Sequence, residues 1–436
     1  DLDLALERVA VGREHWDGET PTPAVCRLLS AEVWARKQTG DLEGALEIAR
    51  RECDLAERLD DRALAARALH DLANVDLDRG DLAGSLDKFE RAGEVFESLG
   101  DRWRFSKALN NQGIVHWRRG DLDDATDAFE RCREIDGEIG DAAAIAGDEM
   151  NLGVLAVKRG EYDAALEHYD TAIELTAEVG DERNVALAKG NLADLLLRRG
   201  ELETAMEHLR DSIDRFEEMG HDRNRAIFLL NVATYHVLVD DLERAREATE
   251  TSLDLATDLD AKNEIPTARA VLARIERSAG NTEQAIEHAE AGTEMAKAHE
   301  DERTVEVLRE LALVYLSAGR VDEALATAED AVDALDAVSD PWQTLRIERV
   351  YGICLREAGQ LDAAEERLET ALESAQSIGA RIDECRALLE LGRLSRRRDD
   401  DESTAGSRIE DALAIAEETG AALYERWCRR ELDAMQ

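Results

Sequence analysis

Apolar residues recur at helical spacing along nearly the whole chain, in blocks closed by a short polar turn that returns every forty residues. The turn reads Gly40-Asp41-Leu42, Gly80-Asp81-Leu82, Gly120-Asp121-Leu122, Gly160-Glu161-Tyr162 and Gly200-Glu201-Leu202, each with a small residue five places after its Gly. The series continues through Asp240, Gly280, Gly319 and Gly359, with one residue deleted before Gly319 and a degraded copy near Asp399. A second turn is interleaved at Gly100, Gly140, Gly180 and Gly220. Two turns per period predict two helices of about sixteen residues each.

The turn residues have physical reasons. A helix commonly ends on a residue in the left-handed conformation, which Gly adopts cheaply. The acidic residue that follows suits the start of the next helix by capping and by the dipole. Between Asp141 and Gly180, Ala146, Met150, Gly153 and Val157 share one face of the first helix, and Ala165, Tyr169, Ala172 and Thr176 one face of the second. Small residues such as Gly153 and Ala165 allow the close helix approach that a stacked hairpin needs.

Counted with Gly120 as position fifteen, these positions give Gly113, Ala125, Phe129 and Cys132; counted from Gly160 they give Gly153, Ala165, Tyr169 and Ala172. That pattern resembles the tetratricopeptide repeat (TPR) and covers essentially the whole chain. The unit departs from the usual one in being forty residues long and in lacking the Pro near the repeat end. With Asn151-Leu152-Gly153 and Asn191-Leu192-Ala193 it is similar to the long-helix subclass, which includes polarity adaptors and the sensor regions of bacterial regulators. The resemblance implies an all-α, right-handed α-solenoid of about ten helical hairpins, with partner or effector binding on its concave face. The expected organisation is a partial repeat or capping helix and loop over residues 1–23, a repeat array over 24–420 and a capping helix over 421–436.

Charge narrows the partners. The chain holds 54 basic and 99 acidic residues, a net charge of −45. A uniformly acidic surface repels phosphate backbones, so nucleic acid is not an expected partner. Only seven of the basic residues are Lys, and acid-rich, Lys-poor composition resembles proteins of salt-accumulating microbes, where about 3 Å of screening in molar salt relieves self-repulsion. An Arg-rich, GC-rich genome is the alternative source of this bias. The hydrophobic content of 44%, at helical spacing, argues for folding over disorder. No apolar run approaches the ~20 residues of a membrane span, and six cysteines without a C-x-x-C pair fit small hydrophobes in a reducing cytoplasm.

Within this acidic background one polar position repeats. Asn111, Asn151, Asn191 and Asn231 stand forty residues apart. Each offers two donors and an acceptor suited to a peptide backbone, and the resemblance assigns this position to ligand contact. The alternative is that each Asn bonds the neighbouring repeat and stiffens the stack. Arg118, Lys158 and Arg198 follow three of them by seven residues, on one helical stripe, with Lys107 a turn before Asn111. This stripe predicts affinity for an acidic or carboxylate-bearing segment, or else capping of C-terminal carbonyls. Trp117 fits either an apolar anchor or a core residue. His168, His208 and His288 recur on second helices without a closing ligand set, so they are read as solvated outer-face residues, with no metal expected. Phosphate loops, dinucleotide glycines, zinc-protease pairs and nucleophile elbows are all missing, so neither catalysis nor a cofactor is expected.

Three functional expectations follow: a non-catalytic scaffold for a protein or peptide, the effector-sensing part of a larger signalling ATPase or transcriptional regulator, or self-association by end-to-end stacking. Asp1-Leu2-x-x-Ala5 aligns with Asp121-Leu122-x-x-Ala125, which suggests a fragment that opens inside a repeat. The alternative is a natural capping helix from Leu2 to Val11, followed by a loop running from Asp17 to Pro23.

Overall fold

The computed structural model describes residues 2–298, 303–335, 340–398 and 402–435, and among these it holds helices and no strand. The degraded turn at Asp399 and the opening Asp1 lie outside the described residues. The chain divides into two compact units, Asp1–Leu155 and Ala156–Gln436. The first contains α1 (Leu2–Glu14), α2 (Pro23–Gln38), α3 (Leu42–Glu57), α4 (Arg62–Asp78), α5 (Leu82–Ser98), α6 (Arg102–Arg119) and α7 (Leu122–Ile139). Helix α8 (Ala142–Arg159) carries the chain from one unit into the next. The second continues with α9 (Tyr162–Val179), α10 (Glu182–Arg199), α11 (Leu202–Met219), α12 (Asp222–Leu238), α13 (Leu242–Asp258), α14 (Glu264–Ala279) and α15 (Thr282–Ala298). It ends with α16 (Thr304–Ser317), α17 (Val321–Leu335), α18 (Pro341–Glu357), α19 (Leu361–Ser377), α20 (Arg381–Arg397), α21 (Glu402–Thr419) and α22 (Ala422–Asp433).

The expected turn chemistry sets the helix ends. Gly120, at φ +81°, donates to the Trp117 carbonyl at 3.0 Å while Asp121 donates to that of His116 at 2.9 Å, satisfying the end of α6. Asp240 fills the same slot at φ 64°, a conformation Asp tolerates better than most residues. At helix starts, Asp41 and Asp81 each accept an N–H, from Gly44 and Gly84, at 2.9 Å. Such a cap contributes about 1 kcal/mol.

Hairpins form because each helix pair buries one stripe. In α6 and α7, Gly113 lies so close to Phe129 that a Cβ there would stand 2.8 Å from the ring, and Ala125 and Cys132 are fully buried beside it. The pattern repeats with Gly352 against Leu368 in α18 and α19, and Gly392 against Ile409 in α20 and α21. An all-α stack of hairpins is therefore what these positions build. Five of the six cysteines are buried and all are free thiols.

Candidate functional site

Even-numbered helices, the first of each hairpin, also touch one another and so line one side of the stack: α2 meets α4 and α4 meets α6 in the first unit, and the contacts run from α10 through to α22 in the second. The expected site residues are all on such helices. In the first unit their polar groups are engaged by the neighbouring repeat. The Asn111 amide donates to Asn74 Oδ1 at 3.3 Å and lies 3.1 Å from His70 Nε2, while the Asn151 amide donates to Asn110 Oδ1 at 3.0 Å. Arg118 donates to the Leu77 carbonyl at 3.1 Å, in the last turn of α4, which is the capping role. Trp117 packs half-buried beside Phe129, Leu152 and Leu155 and is a core residue. Lys107 is half-buried near Asp148, whose charge it favours.

One grouping in this unit escaped the sequence reading. His116 Nδ1 lies 3.8 Å from Asp121 and 3.9 Å from Asp124, so three metal-capable side chains share the α6–α7 turn. The sequence signal was the acidic pair beside a histidine one turn away. Also different from expectation, His208 and His288 are half-buried instead of solvated, and desolvation lowers the pKa of each.

The second unit curls until its own first helices meet. Helix α10 packs against α20 and α12 against α22, Lys158 reaches Asp340 at 3.3 Å, and Arg426 reaches Asp240 at 2.8 Å. Inside this closure lies a chamber with two lobes, of about 300 and 410 Å³, which share Arg274, Arg346 and Arg386 on their walls. Three expected residues, Lys158, Arg198 and Asn231, line the first lobe together. Arg198 is held by Asp194 at 2.6 Å and stacks 3.8 Å from the Trp342 ring, whose other neighbour is Arg346 at 4.0 Å. Among the described residues Asn231 has no side-chain hydrogen-bond partner, nor has half-buried Asn191 on α10, which is not among the lining residues.

Charge in this chamber reverses that of the chain. Eleven basic side chains line the two lobes against seven acidic ones. Part of the excess is neutralised in place: Arg386 pairs with Asp383 at 2.8 Å and bonds the Tyr424 hydroxyl at 2.6 Å, and Glu390 accepts from Arg356 at 2.6 Å and Arg393 at 2.7 Å. Burial alone would raise the Asp383 and Glu390 pKa values, but the surrounding arginines outweigh it and hold both well below the carboxylate range. Arg309, Arg346 and Arg349 are different. They are 3%, 3% and 7% exposed; among the described residues Arg309 meets only Glu306, at 3.6 Å, and no carboxylate contacts Arg346 or Arg349.

These geometries sit on a fold with known relatives. Two tetratricopeptide repeat models match the chain, one over residues 64–138 and 141–218 and the other over 270–339. The chain belongs to the tetratricopeptide repeat superfamily. A further model, Anaphase-promoting complex subunit 5, matches residues 194–279 of this TPR protein. Among solved structures it is similar to a Rap protein complexed with Competence and Sporulation Factor, with TM-score 0.58 and 14% identity over 91% of this chain and 98% of that one. It is also similar to the apo form of RapI, with TM-score 0.50 and 15% identity over 63% and 98%. At these identities the likeness concerns the fold alone. No curated protein sequence matches the chain.

The arginine group of this TPR protein was missed, although a signal existed. Arg309 and Arg349 are forty residues apart, as are Arg346 and Arg386, so each pair occupies one repeat position. Among the described residues no helix is long and apolar enough to cross a membrane.

Proposed function

We propose that this TPR protein is a non-catalytic scaffold that binds a protein or peptide segment on its inner face, with Asn191 and Asn231 as backbone-reading groups. The observation that carries this reading is the unpartnered amide of Asn231 in a cavity wall beside Lys158 and Arg198. A half-buried side-chain amide in a concave surface that makes no bond within the fold is available to a ligand. Asn111 and Asn151, in the first unit, act differently, by tying adjacent first helices together. The comparison with a Rap protein complexed with Competence and Sporulation Factor supplies a precedent for a ligand on this fold.

Selection from a random peptide display library tests the reading. Enriched peptides are expected to bind the wild-type chain and to lose at least tenfold in affinity on Asn191→Ala plus Asn231→Ala. Asn111→Ala plus Asn151→Ala should change affinity far less. Failure to enrich any peptide, or equal binding by the Asn191/Asn231 variant, would count against the scaffold assignment.

A further inference from the structure

The chamber of the second unit asks a question that peptide backbone recognition does not answer: why a chain with 99 acidic residues leaves three buried guanidiniums with N–H groups that have no acceptor, only Arg309 having a carboxylate near it, Glu306 at 3.6 Å. Carboxylates are not scarce, and the same chamber neutralises Arg277 with Glu310 at 3.1 Å and Arg356 with Glu390 at 2.6 Å. Against these, Nε of Arg309 and Arg349 and both Nε and Nη1 of Arg346 are buried with no acceptor, and Arg274 finds only the Thr234 hydroxyl, at 3.0 Å. The helices bring these groups together from three successive hairpins, Arg274 on α14, Arg309 on α16, and Arg346 and Arg349 on α18.

Their mutual repulsion is visible in their acidity. Burial lowers the pKa of Arg309 to about 10, with Arg349 and Arg274 adding to the shift, and burial followed by Arg309 pushes Arg346 well down. A guanidinium nonetheless keeps its proton at any physiological pH, so the charge cannot be shed as a buried carboxyl sheds it. It must be met by an anion. The planar fork of Arg matches the oxygen pairs of phosphate and carboxylate, and each lobe has the volume of an ordinary small-ligand pocket.

We propose that this chamber is a binding site for a compact polyanion, a small molecule with two or more phosphate or carboxylate charges seated between Arg309, Arg346 and Arg349. The proposal stands apart from the scaffold reading, because it names different residues and a ligand of different size. Lobes of about 300 and 410 Å³, flanked by the α10–α20 and α12–α22 contacts, suit a compact ligand better than an extended acidic segment. Such a ligand would bridge α16 and α18.

Titration of the full chain with inorganic pyrophosphate, tricarballylate and a hexaglutamate peptide tests this, with acetate as the monovalent control. Potassium chloride is kept at the lowest level that maintains the fold. Pyrophosphate or tricarballylate should bind with one-to-one stoichiometry and raise the melting temperature, and the preferred one of the two distinguishes a phosphate from a carboxylate source. Arg346→Met should melt no lower than wild type without ligand, because it removes an uncompensated charge, yet bind at least tenfold more weakly. Arg349→Gln, which retains a polar head, should show the same loss and serves if the first variant does not fold. The assignment is overturned if neither small anion binds, if only hexaglutamate binds, or if both variants bind the small anions as wild type does.

Discussion

Both units of this TPR protein bury charge without neutralising it, but the sign differs, and the sign decides what can follow. In the first unit the groups are carboxyls. Glu52 is 1% exposed and Asp148 3% exposed, each with an unpartnered oxygen. Burial, aided by Asp71, lifts Glu52 to about 9, and burial, aided by Asp136, lifts Asp148 to about 8. Each therefore takes a proton and becomes neutral near pH 7. In the second unit the groups are Arg309, Arg346 and Arg349, which have no neutral form to retreat to. The first unit can close its accounts alone, whereas the second needs an anion from outside.

The comparison can be broken first at the chamber's satisfied pairs. Glu390→Gln would leave Arg356 with Glu357 alone and Arg393 with Glu431 alone, beside three arginines whose Nε groups already have no acceptor. Removing one member of a buried ion pair costs about 3–5 kcal/mol, so urea denaturation should show a loss of that order for the second unit and little change in the first. A loss below about 1 kcal/mol would mean that water already screens the chamber.

Asp148→Asn sharpens the other side. With its pKa raised in the fold, Asp148 stays protonated there while the unfolded chain releases the proton above about pH 4, so native stability falls as pH rises from 4 to 8. The Asn variant lacks this loss. Its advantage should be near zero at pH 4 and reach about 2–4 kcal/mol at pH 8, a discounted figure given Lys107 and Arg133 nearby. A pH-independent difference in denaturation midpoint would contradict the assignment.

How much of this could be read beforehand follows from which interactions are local. Gly120 and Asp121 announce a helix end and the next start within three residues, and Gly113 against Phe129 is fixed by the hairpin, so the fold was legible residue by residue. The Asn position was legible too, but its two fates were not. Asn111 finds His70 and Asn74, 41 and 37 residues back, whereas Asn231 finds nothing, and only the repeat before each one decides which. Curvature of the second unit was the least legible feature. It accumulates from small rotations at successive hairpin interfaces, and it alone brings Lys158 to Asp340 and turns the arginines of α16 and α18 into one chamber wall. A basic lumen in so acidic a chain is hidden from net charge for the same reason.

The most direct test compares the two halves of the Asn series by urea denaturation. If the first unit spends its inner polar groups internally and the second keeps them for a ligand, Asn111→Ala plus Asn151→Ala should cost about 1–3 kcal/mol, as two bonds between repeats are lost. Asn191→Ala plus Asn231→Ala should then stay within about 0.5 kcal/mol of wild type, as for side chains that support no internal contact. Equal losses from the two double variants, or a larger loss from the second, would contradict the account.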